Sequence, residues 1–385
     1  MNENGTLRMP GMVYLQKGLA FELPNLLPKV RAAALFTDRG IRESGLLDRI
    51  LPAFEQKGIQ VTVLDGLVPE PTVYQANETI QAFRALQAEV IIAIGGGSVM
   101  DVAKLASVLN TDEYTIFDLL EHPAMARKQV PTLMIPTTAG TGAEATPNAI
   151  VTVPEKALKV GIVNPDMIAD TVVLDAEMLR SLPRPVAAAT GIDALAHAVE
   201  CYTSNKATPL SNIYAAEAFR LIEANIEKAC DSTLCDMEAK QNMLLASFLA
   251  GVAITASGTT GVHALSYPLG GRYHIPHGIS NAILLMPVMR FNEPECGKEF
   301  SELCDRIAPC KAMEEQAAKS AFVLHRMEEI VRNVGIDPSL KPYGVEMKDL
   351  DALVEAGMQV TRLLVNNKRT ITPEDARKLY LEVLG

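Results

Sequence analysis

The sequence predicts two domains: an α/β domain with a parallel sheet, residues 1–178, and an all-helical domain, residues 179–385. In the first half, short continuous apolar runs alternate with helical patterns, as in a parallel sheet covered by helices. After about Asp175 the helical patterns continue, but comparable strand runs stop. A length of 385 residues also suits two domains of ordinary size better than one.

Four apolar runs in the first domain end in turn residues and are predicted as buried parallel strands. They cover residues 32–38, 59–65, 89–97 and 131–138. Between them, residues 45–58 and 73–88 carry apolar side chains at helical spacing. This strand–helix–strand alternation is typical of dinucleotide-binding domains.

Long helical patterns dominate the second domain, with proline and glycine near their ends. The predicted helices cover residues 177–202, 210–230, 237–256 and 319–335. With two domains of such different texture, a ligand cleft between them is the default expectation.

Composition narrows the class of protein. Hydrophobic residues make up 48% of the chain and charged residues 21%, which is typical of a globular protein with large cores. The net charge of −11 argues against nucleic acid and against an anionic membrane as the main partner. No apolar run reaches the roughly 18 residues of a membrane span, and the N-terminus lacks the pattern of a signal peptide. We therefore expect a cytoplasmic protein whose six cysteines are reduced thiols.

A glycine-rich loop follows the third predicted strand. It consists of Gly95, Gly96, Gly97 and Ser98, and a helix is predicted to start near Val99. Glycines permit positive φ and let backbone amides approach a ligand, while the start of a helix attracts a pyrophosphate. A plain tight turn explains the same residues equally well, because the G-x-G-x-x-G fingerprint is absent.

A second polar loop follows the fourth predicted strand and contains Thr137, Thr138, Gly140 and Thr141. In an open α/β sheet a nucleotide binds at the carboxyl ends of the strands. A β-turn with threonine helix caps is the alternative. Asp38, at the end of the first predicted strand, can bond a ribose hydroxyl and repel a 2′-phosphate, which favours NAD over NADP; it can also be a helix cap.

Asp193 and His197 stand four apart in an apolar helical segment and therefore share a helix face. Three of the six histidines crowd into residues 261–280. Of these, His263 is predicted near the end of an apolar helix and His277 at the start of the next, with prolines and glycines between them to turn the chain. Three imidazoles and a carboxylate suit Fe²⁺ or Zn²⁺. Each residue alone can instead be a helix cap or a surface pair.

These residues also carry a resemblance to a known family, the iron-dependent (group III) alcohol dehydrogenases. The stretch LDAEMLRSLPRPVAAATGIDALAHAVE resembles that family's first signature over its full length. GGGSVMD, IPTTAGTGAE and HALSYPLGGRYHIPHG resemble its other hallmarks, and NNKRTITPED is similar to its closing segment. The resemblance covers nearly the entire chain.

The resemblance implies a Rossmann-like N-terminal domain, an all-α C-terminal domain and a homodimer or larger homo-oligomer. It implies that the metal, Fe²⁺ or sometimes Zn²⁺, is held by Asp193, His197, His263 and His277. It further implies contacts with NAD from Asp38, Gly96, Gly97, Ser98, Asp101, Thr137, Thr138, Thr141 and Lys159.

Two positions depart from the family's pattern. Tyr267 stands where many relatives carry a histidine that is thought to help relay a proton. The relay therefore has three candidates: Tyr267, His274 and water. Glu70 stands where relatives often place an asparagine beside the adenosine, which bears on cofactor affinity.

Together these parts predict a metal- and NAD-dependent alcohol dehydrogenase or aldehyde reductase, in which the metal acts as a Lewis acid. Arg272, between two proposed ligands, can face a substrate tail such as a carboxylate, sulfonate or phosphonate; a solvated loop arginine is the alternative. Two other functions remain open: a metal-dependent lyase of the dehydroquinate synthase type, and a non-enzymatic NAD-binding sensor.

Overall fold

The computed structural model describes residues 5–27, 29–156, 158–307 and 313–384. These residues form two compact units. One is Arg8–Leu182, and the other contains residues 183–384 together with residues 5–7. The first unit has a parallel sheet with helices and the second is helical, so the predicted fold class is confirmed.

The α/β unit is built on a six-stranded parallel sheet with the strand order β1-β8-β5-β4-β2-β3. A separate antiparallel pair consists of β6 and β7. The strands are β1 Met12–Leu15, β2 Ala32–Asp38, β3 Gln60–Leu67, β4 Val90–Gly95, β5 Thr132–Pro136, β6 Asn148–Val153, β7 Leu158–Val163 and β8 Thr171–Leu174.

The four predicted strands are present as β2 to β5, and the two that complete the sheet were missed. β1 and β8 are four residues long, too short for an apolar run to stand out from the sequence around them. The prediction that β3 is buried is wrong, because β3 is an edge strand and, among the described strands, pairs with β2 alone. Of its eight residues, only Leu67 is buried.

Helices flank the sheet strands in sequence: α1 Arg39–Glu43, α2 Leu46–Gln56, α3 Val73–Arg84, α4 Gly97–Val108 and α5 Ile116–Glu121. The start of α3 is fixed by a capping box, in which Thr72 accepts from the N–H of Gln75 and the Gln75 side chain accepts from the N–H of Thr72. α4 begins at Gly97, two residues before the predicted start.

The helical unit contains nine described α-helices: α6 Arg184–Thr203, α7 Pro209–Cys230, α8 Met237–Ser257, α9 Gly261–Tyr273, α10 His277–Cys304, α11 Gln316–Asn333, α12 Leu350–Met358, α13 Thr361–Leu364 and α14 Pro373–Leu384. α6 lies at the centre, and every residue from Gly191 to Thr203 is buried. Because Asp193, His197 and Glu200 lie in that stretch, their charges or lone pairs need partners inside the core.

The chain bends by 105° between α8 and α9. No single helix among the described residues is long and apolar enough to cross a membrane; α8 and α9 together meet the criterion by length and composition only. Most residues of both helices are buried within the unit.

Four described cysteines, Cys201, Cys230, Cys235 and Cys296, are free thiols. Cys304 is disulfide-bonded, so the expectation that all six cysteines are reduced is wrong.

Candidate functional site

Helix α6 supplies one face of a buried polar cluster. Asp193, His197 and Glu200 are spaced by four and then three residues, so they follow one stripe along the helix. Their surroundings are the small and apolar residues of α6, which leave few other charges near the stripe.

Two further helices bring the remaining imidazoles. His263 is the third residue of α9 and not, as predicted, near the end of an apolar helix. The preceding helix α8 ends at Ser257, and Gly258, at φ 67°, turns the chain. His277 is the first residue of α10, as predicted.

The four predicted metal ligands converge. One ligand atom from each of Asp193, His197, His263 and His277 lies within 4.8 Å of the other three. Asp193 Oδ1 is 3.8 Å from Nε2 of His197 and 3.6 Å from Nε2 of both His263 and His277. The Nε2 atoms of His197 and His263 are 2.9 Å apart. Two imidazole nitrogens this close repel if both are protonated, so at most one of the two carries a proton.

Glu200 holds His263 from the other side. Its Oε2 is bonded to Nδ1 of His263, while its Oε1 accepts from the N–H of Thr260 at 3.0 Å and of Val262 at 2.8 Å. With Nδ1–H directed to a carboxylate, the Nε2 lone pair of His263 faces the cluster. Sequence reasoning gave Glu200 no role, although its position on the Asp193 stripe was a usable signal.

Asn281, one turn after His277 on α10, also borders the cluster. Its Nδ2 lies 2.6 Å from Asp193 Oδ1. Sequence reasoning missed this residue as well, since an asparagine in a helix gives little sign of a function.

The electrostatics of the cluster suit a cation. Burial opposes ionisation of Asp193, but the imidazoles of His197, His277 and His263 outweigh burial and hold its pKa below the ordinary value. Burial likewise disfavours a charged His263, yet the carboxylates of Glu200 and Asp193 raise its pKa to about 9. A proton on His263 and a metal ion compete for one lone pair, so metal binding releases protons. Asp193, His197 and His263 are buried and His277 is half-buried. Three imidazoles and one carboxylate that already converge fit Fe²⁺ or Zn²⁺.

The three predicted catalytic residues lie on or just after α9. The Tyr267 ring is centred 6.1 Å from that of His277. Arg272 and His274 are exposed, and His274, at φ 54°, ends the helix in a left-handed conformation. Of the residues predicted to break the chain here, Pro268, Gly270 and Gly271 lie inside α9; the connection to α10 is residues 274–276.

In the α/β unit, the glycine loop and the threonine loop meet at the ends of neighbouring strands. β4 pairs with β5 so that Gly95 is opposite Pro136, and the N–H of Thr137 donates to the carbonyl of Gly95 at 3.0 Å. A Cβ on Gly96 would lie 3.5 Å from Thr138 Oγ1. The structure thus brings together the residues of both predicted loops.

Of the two reasons predicted for the glycines, positive φ is wrong, and the structure shows close contacts that a side chain would prevent. None of Gly95, Gly96 and Gly97 has a left-handed φ. A Cβ on Gly95 would lie 2.6 Å from the Val99 side chain, and one on Gly97 would lie 2.9 Å from Thr141 Oγ1. No side chain caps the start of α4 at Gly96, so the first N–H groups of this helix suit an anionic ligand.

Two predicted nucleotide contacts have roles within the protein. Asp38 caps α1, with Oδ1 accepting from the N–H of Ile41 at 2.9 Å. Asp101 pairs with Lys104 at 2.8 Å and accepts from the N–H of Ile150 at 3.0 Å. Asp101 therefore ties α4 to β6, and its contact with a cofactor stays a prediction.

Lys159 on β7 forms an ion pair with Glu70, with Nζ 2.8 Å from Oε1. Glu70 has a φ of 52°, a left-handed conformation that glutamate rarely adopts and asparagine tolerates. The N–H of Glu70 donates to Ser98 Oγ at 2.9 Å. Glu70 therefore links the glycine loop to the predicted cofactor lysine.

A glycine loop at the strand ends of a parallel α/β unit suits a dinucleotide, and a His₃Asp cluster in a helical unit suits a divalent metal ion. Together they define a class of proteins: metal-dependent enzymes that use a dinucleotide. Residues 10–176 match the family described as iron-containing alcohol dehydrogenase. Residues 187–384 match the C-terminal part of the Fe-containing alcohol dehydrogenase family. The chain belongs to the iron-containing alcohol dehydrogenase family.

Individual relatives agree with this assignment. Long-chain-alcohol dehydrogenase 1 of Geobacillus thermodenitrificans (strain NG80-2) is 34% identical over 366 residues, which cover 93% of this chain and 92% of the relative. A crystal structure of 1,3-propanediol oxidoreductase aligns with a TM-score of 0.90 and 27% identity over 99% of this chain and 100% of the other. Sulfoacetaldehyde reductase from Bifidobacterium kashiwanohense, solved with NAD⁺, aligns with a TM-score of 0.88 and 26% identity over 100% and 99%.

The predicted family is therefore confirmed, and so is the prediction of an oxidoreductase acting on alcohols and aldehydes. The predicted cofactors, iron and NAD, agree with the name of the family and with the NAD⁺ complex of the solved relative.

Proposed function

We propose that Asp193, His197, His263 and His277 hold Fe²⁺, with Zn²⁺ as a possible substitute, in an NAD-dependent alcohol dehydrogenase or aldehyde reductase. The observation that carries the proposal is the convergence of these four ligand atoms within 4.8 Å inside the helical unit. The nucleotide is assigned to the α/β unit, at Asp38, Gly96, Gly97, Ser98, Asp101, Thr137, Thr138, Thr141 and Lys159.

When bound, the ion supplies a Lewis acid that polarises the oxygen of the alcohol or aldehyde. The chain's own residues prepare the site. Glu200 fixes the tautomer of His263, and the glycine loop lets backbone amides approach the pyrophosphate. In this proposal Tyr267 would contact the nicotinamide, and water would carry the proton. When bound, NAD would supply or accept the hydride, so no side chain would be needed as a covalent nucleophile.

The test is a chelation experiment on the purified protein. Treatment with a chelator is expected to abolish aldehyde reduction by NADH, and added Fe²⁺ is expected to restore it. NADH oxidised should equal alcohol formed, mole for mole. A lyase would regenerate its cofactor, and a sensor would bind NADH without turnover whatever the metal; either result contradicts the proposal.

We further propose that the substrate is a short aldehyde with an acidic tail, recognised by Arg272. Arg272 is exposed at the end of α9, five residues before His277 in sequence. Guanidinium pairs with carboxylate, sulfonate or phosphonate through two hydrogen bonds. The similarity to a sulfoacetaldehyde reductase supports a sulfonate tail.

Arg272→Ala is expected to raise KM for an acidic aldehyde by about tenfold or more, since charged hydrogen bonds contribute about 1.5–3 kcal/mol. KM for a neutral aldehyde of equal length should change little. The matched control is Arg362→Ala, at another exposed arginine of the helical unit. Equal losses for acidic and neutral aldehydes would remove Arg272 from substrate recognition.

We also propose a homodimer or larger homo-oligomer, located in the cytoplasm. β1 is the other edge strand of the described sheet, and its residues Met12 and Leu15 are 51% and 48% exposed. Edge strands with apolar side chains pair readily with another chain. Light scattering should give a mass of at least twice the 41.6 kDa of one chain, whereas a monomer contradicts this proposal.

A further inference from the structure

Asn281 is the fully buried amide that touches the cluster of ligands. Its side chain is 0% exposed. Nδ2 lies 2.6 Å from Asp193 Oδ1, 3.1 Å from His263 Nε2 and 3.2 Å from His277 Nε2. These three atoms are among the four proposed to hold the ion, so the Asn281 amide lies next to the proposed position of the ion.

The Asn281 amide makes one strong hydrogen bond through Nδ2, while its oxygen Oδ1 makes none among the described residues. The N–H donates to an ionised carboxylate, Asp193, and such charge-assisted bonds are about twice as strong as neutral ones. The amide oxygen is buried and, among the described residues, has no hydrogen-bond partner. Leaving a buried acceptor unpaired is unfavourable. A turned amide would set Oδ1 against the ionised Asp193 Oδ1, oxygen to oxygen, so the bond to Asp193 determines the orientation of the side chain.

The bond to Asp193 fixes the carboxylate where the imidazoles meet. Asp193 Oδ1 lies 3.6 to 3.8 Å from the three Nε2 atoms, and rotation of its carboxyl group would carry Oδ1 away from them. A ligand oxygen held by an outer hydrogen bond needs no reordering when the ion binds. The contacts of Nδ2 with Nε2 of His263 and His277 are open to replacement by the ion, whereas the bond to Asp193 can persist.

We propose that Asn281 is a positioning residue of the metal centre, whose amide donates to Asp193 Oδ1 and sets the affinity for the divalent ion. This inference rests on the proposed metal site. It extends that site by a residue on the face of α10 that also carries His277.

The test measures metal binding apart from activity. The dissociation constant for Zn²⁺ is determined by competition with a chromophoric chelator for the wild type, Asn281→Ala and Asn281→Leu. Both variants are expected to bind Zn²⁺ about 10–100-fold more weakly. Asn225→Ala on α7 is the matched control, since its amide donates to the Leu221 carbonyl, and its affinity should equal that of the wild type. Circular dichroism verifies that each variant is folded.

X-ray absorption spectra of the zinc-loaded wild type and Asn281→Leu distinguish a positioning role of Asn281 from a role as a direct metal ligand. An unchanged number of nitrogen and oxygen neighbours supports positioning, whereas the loss of one oxygen neighbour shows that Asn281 is itself a ligand and overturns the inference. Unchanged Zn²⁺ affinity in both variants overturns it too. A wild type that binds no Zn²⁺ or Fe²⁺ would instead refute the metal site.

Discussion

Replacing Asp193 with alanine is expected to remove the bound ion and to lower kcat/KM for aldehyde reduction by roughly a thousandfold or more. Asp193 is the carboxylate in a set whose other members are neutral or cationic imidazoles, and it lies within 3.8 Å of all three. Without it, a divalent ion has no anionic ligand in the cluster. A Lewis acid contributes several kcal/mol to such a reaction, and about 4 kcal/mol corresponds to a thousandfold in rate.

The measurement combines iron content, initial rates and folding. Iron per chain should fall close to zero in Asp193→Ala, while circular dichroism stays that of the wild type. Asp351→Ala is the matched control, because Asp351 is exposed and forms a surface ion pair with Arg377, which contributes little. An iron-loaded Asp193→Ala, His277→Ala double variant that turns over as fast as the wild type would contradict the mechanism.

Sequence patterns predicted the four residues of the cluster because their signal is local. Asp193 and His197 share a helix face in a stretch with almost no other charge, and a buried charge needs a partner. His277 follows Pro276, a residue that starts helices well. His263 was placed in the wrong helix, since the turn at Gly258 is followed at once by a new helix and the apolar pattern runs on through the bend.

The rest of the site depends on contacts between distant residues, which a single sequence does not carry. Asn281 acquires its role only because Asp193, 88 residues away in the chain, lies beside it. The glycines of the sequence predicted the position of the loop after β4 but not its contacts. Gly95 packs against Val99 and Gly97 against Thr141, and these contacts depend on the folded structure. The short strands β1 and β8 form because they pair with each other and β8 pairs with β5, so their conformation depends on tertiary contacts more than on local sequence.

Gly278 links the packing of α10 against α6 to the position of His277 in the candidate metal site. It follows His277 in the first turn of α10, and a Cβ there would lie 2.2 Å from the carbonyl oxygen of Ala189 and 2.7 Å from its carbonyl carbon. Ala189 is on α6, one turn before Asp193. The absence of a side chain at Gly278 lets the backbone of α10 approach that of α6, and this approach places His277 3.6 Å from Asp193.

Gly278→Ala is therefore expected to weaken Zn²⁺ or Fe²⁺ binding by about 10–100-fold, comparable to losing an outer partner of a ligand. A carbon needs about 3.3 Å from an oxygen, so the start of α10 must move by about 1 Å. Because the obstacle is backbone, no rotamer change relieves it. The free energy of unfolding should fall by roughly 1–3 kcal/mol, as for other overpacked sites. Chelator competition and urea unfolding measure the two effects.

Gly297→Ala, on the same helix, separates the clash from the general effect of alanine. A Cβ at Gly297 would meet only side-chain atoms, the nearest being Glu293 Oε1 at 3.4 Å, and alanine in a helix interior is favoured over glycine by roughly 0.5–1 kcal/mol. Gly297→Ala should therefore be at least as stable as the wild type and bind metal equally well. If Gly278→Ala behaved like Gly297→Ala in both measurements, close contact between α6 and α10 would not be what positions His277.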